Sequence, residues 1–163
     1  MRNDDIKVNY LTRKGERALR EKYDSIQDEY NKTTLAMGIS DSIDSDLREN
    51  PEFMELRVKA MYSLPREKQK IYNRLRNTVI IEEMEEYKNF DGETVIRGSV
   101  VTLEIDGEIE VYTIAGTEES DLDNCVLAEN TNLARAILHH KNGDKIPFNG
   151  MEIIVKKIEK AIF

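Results

Sequence analysis

The 163-residue chain has one cysteine, two histidines, three prolines and no tryptophan. A single cysteine excludes an internal disulfide and fits a reducing compartment. Cys125 lies in the apolar stretch CVLA and reads as a small buried hydrophobe rather than a nucleophile. His139 and His140 are adjacent and point different ways, so joint metal ligation is not expected, and a surface or helix-end placement is. There is no glycine-rich phosphate loop, no CxxC pair and no Ser/His/Asp arrangement. No apolar run approaches the ~20 residues that span a bilayer. The N-terminus MRNDDIKVNY carries acids and lacks the apolar stretch of a signal peptide. The chain therefore reads as cytoplasmic, with no membrane partner.

What the chain has in quantity is charge: 34% of residues are charged against 39% hydrophobic, which suits a folded protein with much exposed surface. The net charge of −8 is uneven. Residues 1–90 hold 17 Lys+Arg against 18 Asp+Glu, and residues 91–163 hold 7 against 14. A general nucleic-acid binder is basic overall, so any contact with nucleic acid is expected to be local.

From about Thr12 to Met37 the apolar residues Leu19, Tyr23, Ile26, Tyr30, Thr33 and Met37 are spaced 4, 3, 4, 3, 4, the seam of a coiled coil. Thr12 reads as the N-cap, and Gly38 with the run SDSIDS as the stop. Pro51 suits the first turn of a second helix capped by Asn50 and running to about Val79. Its seam reads Met54, Val58, Met61, Leu64 or Pro65, Lys68, Ile71 or Tyr72, Leu75 and Val79. Pro65 is expected to kink or bend that helix. Each helix spans about 40 Å at ~1.5 Å per residue.

After a charged linker at 82–93 the period becomes two. Asp106-Gly107 and Asn149-Gly150 each sit between apolar-alternating runs and signal tight hairpins. Residues 132–138 (NLARAIL) read as a short helix. The expected class is α+β. Residues 1–82 form an antiparallel two-helix coiled coil with an acidic tip, and residues 83–163 a small antiparallel sheet with one short helix.

The tip is the distinctive feature. Asp41, Asp44, Asp46, Glu49 and Glu52 fall within twelve residues, around the octapeptide DLRENPEF at 46–53. Like charges repel, so a fold gains nothing by crowding five carboxylates at a turn. The helix dipole accounts for Glu49 and Glu52 but not for all five. A calcium loop from Asp41 to Glu52 is disfavoured by Ile43 at a ligand position and Asp46 at the turn glycine. A self-contained acid–base pair lacks the walls that shift carboxyl pKa values. A tip that delivers carboxylates into a site on another macromolecule remains. Most basic residues of the second helix read as an ordinary solvated face, but Arg57 lies two turns from the tip.

LTRKGERAL (11–19), DLRENPEF (46–53), RGSVVTLE (97–104), VYTIAG (111–116) and TNLARAILHHKNGD (131–144) together resemble the bacterial Gre-type transcript cleavage factors (GreA/GreB), in the expected order and over nearly the whole chain. The resemblance implies a C-terminal FKBP-like domain and a coiled coil that enters the secondary channel of RNA polymerase. It further implies that the protein stimulates cleavage of the backtracked RNA 3′ end by the polymerase and is not itself an enzyme. Carried over by position, Asp46 and Glu49 would hold a shared Mg²⁺ and orient the attacking water. Asn50, Glu52 and Phe53 would shape the tip, and Arg57 would contact the RNA. Asn130, Thr131, Asn132 and Arg135 would dock the C-terminal domain on the polymerase. No metal is expected in the free protein.

This chain departs from the family pattern at three places: Thr131-Asn132 where Ser-Pro is usual, His139 where glycine is usual, and Pro65 inside the second helix. With the additional acids Asp41 and Asp44, these leave open a channel regulator that inhibits without stimulating cleavage. A plain scaffold with no polymerase role would instead tolerate loss of both Asp46 and Glu49. Prolyl isomerase activity is disfavoured by the scarcity of aromatics in the second half, Phe90, Tyr112, Phe148 and Phe163 among them.

Overall fold

The chain's first strand, β1 (Asn9–Leu11), has no strong pattern of its own and exists through a distant partner. It pairs in parallel with β2 (Thr78–Ile80), Tyr10 opposite Val79. The structure is a computed structural model and describes residues 8–43 and 51–163, with residues 39–43 as backbone alone. These fall into two compact units: the residues up to Glu16 together with Asn77–Phe163, and Arg17–Arg76.

Helix α1 runs from Arg13 to Ile43. Thr12 caps it as expected, its hydroxyl accepting a 2.9 Å hydrogen bond from the Gly15 N–H. The seam also holds: Leu19, Ile26 and Thr33 are buried, and Tyr23, Tyr30 and Met37 half-buried. The expected stop at Gly38 does not occur, and the helix continues five residues beyond it. A Cβ on Gly38 would meet nothing within 4 Å. Gly38→Ala is therefore expected to raise stability by about 1 kcal/mol, because glycine in a helix interior loses more chain entropy than alanine. Denaturant titration checks this, and a loss of stability would show that the backbone there is not helical.

The second rod is α2 (Pro51–Val58), a π-helical turn (Lys59–Ser63) and α3 (Leu64–Arg76). Pro65 has no N–H, and its ring crowds the carbonyl four residues back. The expected kink takes the form of that π-turn, in which the Leu64 N–H donates to the Lys59 carbonyl, five residues back. A π-turn holds one extra residue, so it shifts the seam. Beyond it Leu64 and Ile71 are buried and Lys68 and Leu75 half-buried, as expected. Before it the expected Met54, Val58 and Met61 are 44%, 51% and 53% exposed. Phe53, Leu56 and Ala60, respectively one, two and one positions earlier, face inward instead. The rod also ends at Arg76 rather than Val79, which belongs to β2 and is exposed.

The antiparallel pairing of the rods is fixed by the ion pairs Glu29–Lys59 at 2.5 Å and Lys22–Glu67 at 3.3 Å. Lys68 donates to Gln27 Oε1 and lies 5.5 Å from the centre of the Tyr23 ring. These pairs are exposed enough to set register more than stability.

Past β2 the charged linker is partly ordered, as a 3₁₀ turn (Ile81–Glu83) and the short helix α4 (Glu85–Lys88). Five strands then form one sheet: β3 (Ser99–Ile105), β4 (Glu108–Ala115), β5 (Val126–Ala128), β6 (Lys145–Phe148) and β7 (Met151–Lys160), in the order β5-β4-β3-β7-β6. Both expected hairpins are present. Asp106 and Gly107 have φ of 52° and 86°, Asn149 and Gly150 of 50° and 83°, the two left-handed residues of a type I′ turn. The expected antiparallel sheet carries one exception, because β5 returns parallel to β4.

Helix α5 (Asn132–Ile137) seals one face, contributing Ala134 and Ile137 to a core with Val101, Leu103, Ile114, Ile153 and Val155. At its end His139 is exposed with φ of 67°, a conformation glycine adopts at no steric cost. His140 is half-buried and pairs with Asp144 at 3.2 Å, so both histidines sit at the helix end as expected. Cys125 departs from expectation. It is exposed with φ of 54°, in a turn closed by reciprocal backbone hydrogen bonds between Asp121 and Val126, so its side chain never reaches the core.

Candidate functional site

Residues 44–50 join the two rods, so Asp46 and Glu49 lie in the link between the end of α1 and the start of α2. Asp44, Asp46, Glu49 and Asn50 are outside the described residues, and Asp41 belongs to the backbone-only end of α1. The rods flanking the link are about 46 Å and 39 Å long at ~1.5 Å per residue, for Arg13–Ile43 and Pro51–Arg76.

Pro51 opens α2, where its missing N–H costs no helical hydrogen bond. Glu52 is in the first turn and exposed, where the positive end of the helix dipole favours a carboxylate. Phe53 is half-buried on the inward side of α2, so the aromatic ring of the octapeptide anchors the helix start. Arg57 is exposed in the last turn of α2, and exposure leaves its guanidinium accessible to an anion. The described residues thus bring Glu52, Phe53 and Arg57 onto one short helix next to the link. Among the described residues no group of three or more His, Cys, Asp and Glu is placed to hold a metal ion.

The C-terminal docking residues lie at the start of α5. Thr131 caps that helix, its hydroxyl accepting from the Ala134 N–H at 3.3 Å and donating to the Ala128 carbonyl at 2.9 Å. Threonine therefore does the capping work expected of serine at this place. Asn132 and Arg135 are exposed, and Asn130 is half-buried. The neighbouring turn is stiffened by Asp121, whose carboxyl is held below its usual range first by hydrogen bonds from Asn124.

Sequence reasoning missed Glu119, which organises the start of α1. Its carboxylate accepts from the Thr12 N–H at 2.9 Å, the Thr12 hydroxyl at 2.6 Å and the Gly116 N–H at 2.9 Å. No periodicity marks it, because its partner is 107 residues away. A second cluster holds β1 beside it. Arg97 donates to Glu129 at 2.7 Å and lies 4.1 Å from the centre of the Tyr10 ring. Glu129 accepts in turn from the Thr117 hydroxyl at 3.0 Å. No helix among the described residues is long and apolar enough to cross a membrane.

The family described as "Transcription elongation factor, GreA/GreB, C-term" matches residues 91–160. The transcription elongation factor GreA of Thermomicrobium roseum is 30% identical over 147 residues, covering 84% of this chain and 85% of that protein. GreA of Halalkalibacterium halodurans is 33% identical over 158 residues, covering 94% and 96%. A crystal structure of the GreA factor homolog 1 (Gfh1) protein of Thermus thermophilus aligns with a TM-score of 0.41 at 20% identity, over 94% of this chain and 99% of that one.

Proposed function

The chain belongs to the GreA/GreB family of transcription elongation factors, and from that premise we propose that it inserts its helical hairpin into the secondary channel of RNA polymerase and stimulates cleavage of backtracked RNA by the polymerase. The observation that carries this reading is the position of the acids: Asp46 and Glu49 occupy the link between two rods of about 46 Å and 39 Å. A carboxylate pair at such an extremity reaches into a site too narrow for a globular domain.

In this reading the protein contributes groups and the polymerase remains the catalyst. Carboxylate oxygens are the donors a hard cation such as Mg²⁺ prefers, and two of them are too few for a cage, so the remaining ligands would come from the polymerase. Asp46 and Glu49 would hold the ion, which when bound supplies an activated water and stabilises charge on the phosphoryl group. Glu49 would also orient the attacking water. Asn50, Glu52 and Phe53 set the direction of the tip, Phe53 by packing inward at the helix start. Arg57 would pair with a phosphate of the extruded RNA. Asn130, Thr131, Asn132 and Arg135 would meet the polymerase near the channel entrance, with Thr131 keeping the helix that presents them capped.

The test is a stalled, backtracked elongation complex with RNA labelled near its 3′ end and Mg²⁺ present. Release of short 3′ fragments that depends on this protein supports the reading. Suppression of the polymerase's intrinsic cleavage and of elongation would replace it with a channel-blocking regulator. Absence of binding would remove the polymerase role.

A further inference from the structure

We infer that the groove between α1 and α3 is a binding site for a purine nucleoside diphosphate. Tyr23 and Tyr30 stand two turns apart on α1, and Pro65 and Tyr72 two turns apart on the facing α3. Their rings wall a stretch about 10 Å long at ~1.5 Å per residue. The groove holds about 440 Å³ there, within the ~300–1,000 Å³ usual for small-molecule sites. Lys68 and Gln69 complete this stretch. A second stretch opens from it, sharing Tyr23 and Tyr72 and adding Arg20, Asp24 and Arg76. All of these residues belong to the Arg17–Arg76 unit.

The charges give the ligand its sign. Lys68 is half-buried at a seam position, where an amine costs stability. Its partners are the neutral Gln27 Oε1 and the Tyr23 ring, whose centre is 5.5 Å away, and no carboxylate among the described residues pairs with it. Register does not call for this amine, because the Glu29–Lys59 and Lys22–Glu67 pairs already set it. Arg76 is exposed and has no ion pair among the described residues. Along the groove Arg20, Lys68 and Arg76 face a single carboxylate, Asp24.

Aromatic faces beside cations suit a flat, anionic ligand. The purine base stacks on Tyr72, which is 48% exposed, while Lys68 and Gln69 offer N–H donors to its ring acceptors. The guanidinium groups of Arg20 and Arg76 take the phosphates. Asp24 accepts from the ribose hydroxyls. A short ligand fits better than a nucleic-acid strand. The adjoining face of α1, lined by Glu21, Asp24 and Asp28, is acidic and repels a longer phosphate backbone. The inference does not rest on the polymerase reading.

The experiment is titration calorimetry of GDP into the free full-length chain, with UDP, pyrophosphate and a short single-stranded RNA as comparison ligands. GDP is expected to fill one site per chain with a Kd below about 1 mM, and UDP to bind more weakly because its smaller ring stacks less. Tyr72 and Arg76 are exposed, so Tyr72→Leu and Arg76→Gln keep the fold. Each is expected to weaken GDP binding by about tenfold or more, through loss of a stacking face or of a charged hydrogen bond. Lys68→Met is expected to weaken GDP binding while raising the unfolding midpoint, since it removes an amine from the seam. A lysine with a structural role alone would leave GDP affinity unchanged. The proposal is overturned by any of four results: no saturable GDP binding, binding that survives both Tyr72→Leu and Arg76→Gln, UDP or pyrophosphate binding as tightly as GDP, or tighter Tyr72-dependent binding of the RNA. No polymerase is present, so the outcome is independent of the cleavage assay.

Discussion

Gly116→Ala is expected to lower stability by about 2–3 kcal/mol, with a fall of roughly 5–10 °C in the unfolding midpoint of the unit that contains it. A Cβ at position 116 would lie 2.3 Å from the Tyr10 carbonyl oxygen, 2.6 Å from the Leu11 Cα and 2.1 Å from a Glu119 carboxylate oxygen. The first two are backbone atoms of β1 and cannot rotate away. Strand β1 must move off, and the Thr117 N–H to Tyr10 carbonyl hydrogen bond of 2.6 Å goes with it. Glu119→Ala is expected to cost about 2–4 kcal/mol by a different route. It leaves the Thr12 N–H, the Thr12 hydroxyl and the Gly116 N–H without their shared acceptor, and Thr12 is buried. Combining the two separates the causes. If the cost of Gly116→Ala disappears in the Glu119→Ala background, the clash was with the carboxylate alone and the tight seat of β1 is not the reason for glycine. Calorimetry with hydrogen exchange of the β1–β2 amides reads both effects.

Asp46→Asn is expected to reduce protein-stimulated transcript cleavage by about 10²-fold or more, and Glu49→Gln by a similar factor. Either change removes a charged ligand or orienting group at the reacting phosphate, where single preorganised groups carry effects of that size. Binding to the polymerase should persist, because the link residues are a small part of a hairpin this long and the rods pair through other residues. Stability should be unchanged or slightly raised, because removing one carboxylate relieves repulsion at the tip. Raising Mg²⁺ is expected to recover part of the activity of Asp46→Asn, whereas an orientation defect at Glu49 would recover less. Cleavage at the unsubstituted rate with Asp46→Asn and Glu49→Gln combined would end the role assigned to the tip.

Much of the fold was legible because its signals are local. The six seam positions of α1 follow from a 4-3 spacing within one helix, and each is buried or half-buried as that spacing requires. Asp106-Gly107 and Asn149-Gly150 make hairpins because both turn residues must adopt positive φ, which Asp, Asn and Gly tolerate. Thr12 and Thr131 cap the helices that follow them for an equally local reason. The octapeptide at 46–53 led to the family, and the curated relatives agree.

Other features were decided at a distance. Asn9–Leu11 is a strand only because Thr78–Ile80 lies beside it, 69 residues later. Glu119 reads as one more surface acid until Thr12 is brought to it. Cys125 sits beside apolar residues in sequence, yet the Asp121–Val126 turn directs it outward. The stop at Gly38 failed because a single glycine in a helix costs only about 1 kcal/mol and does not by itself end one.

The sequence by itself determined the class, the helical hairpin, the two tight turns, the acidic link and the family, because each is written in residue types at short, fixed spacings. Tertiary structure alone decided which seam the tip-proximal helix uses. The 4-3 spacing of Met54, Val58 and Met61 reads as a seam in the chain just as the 3-4 spacing of Phe53, Leu56 and Ala60 does. Phe53, Leu56 and Ala60 are the less exposed set in the folded hairpin and Met54, Val58 and Met61 are about half exposed, because burial depends on which face meets the other rod across the π-turn at Lys59–Ser63.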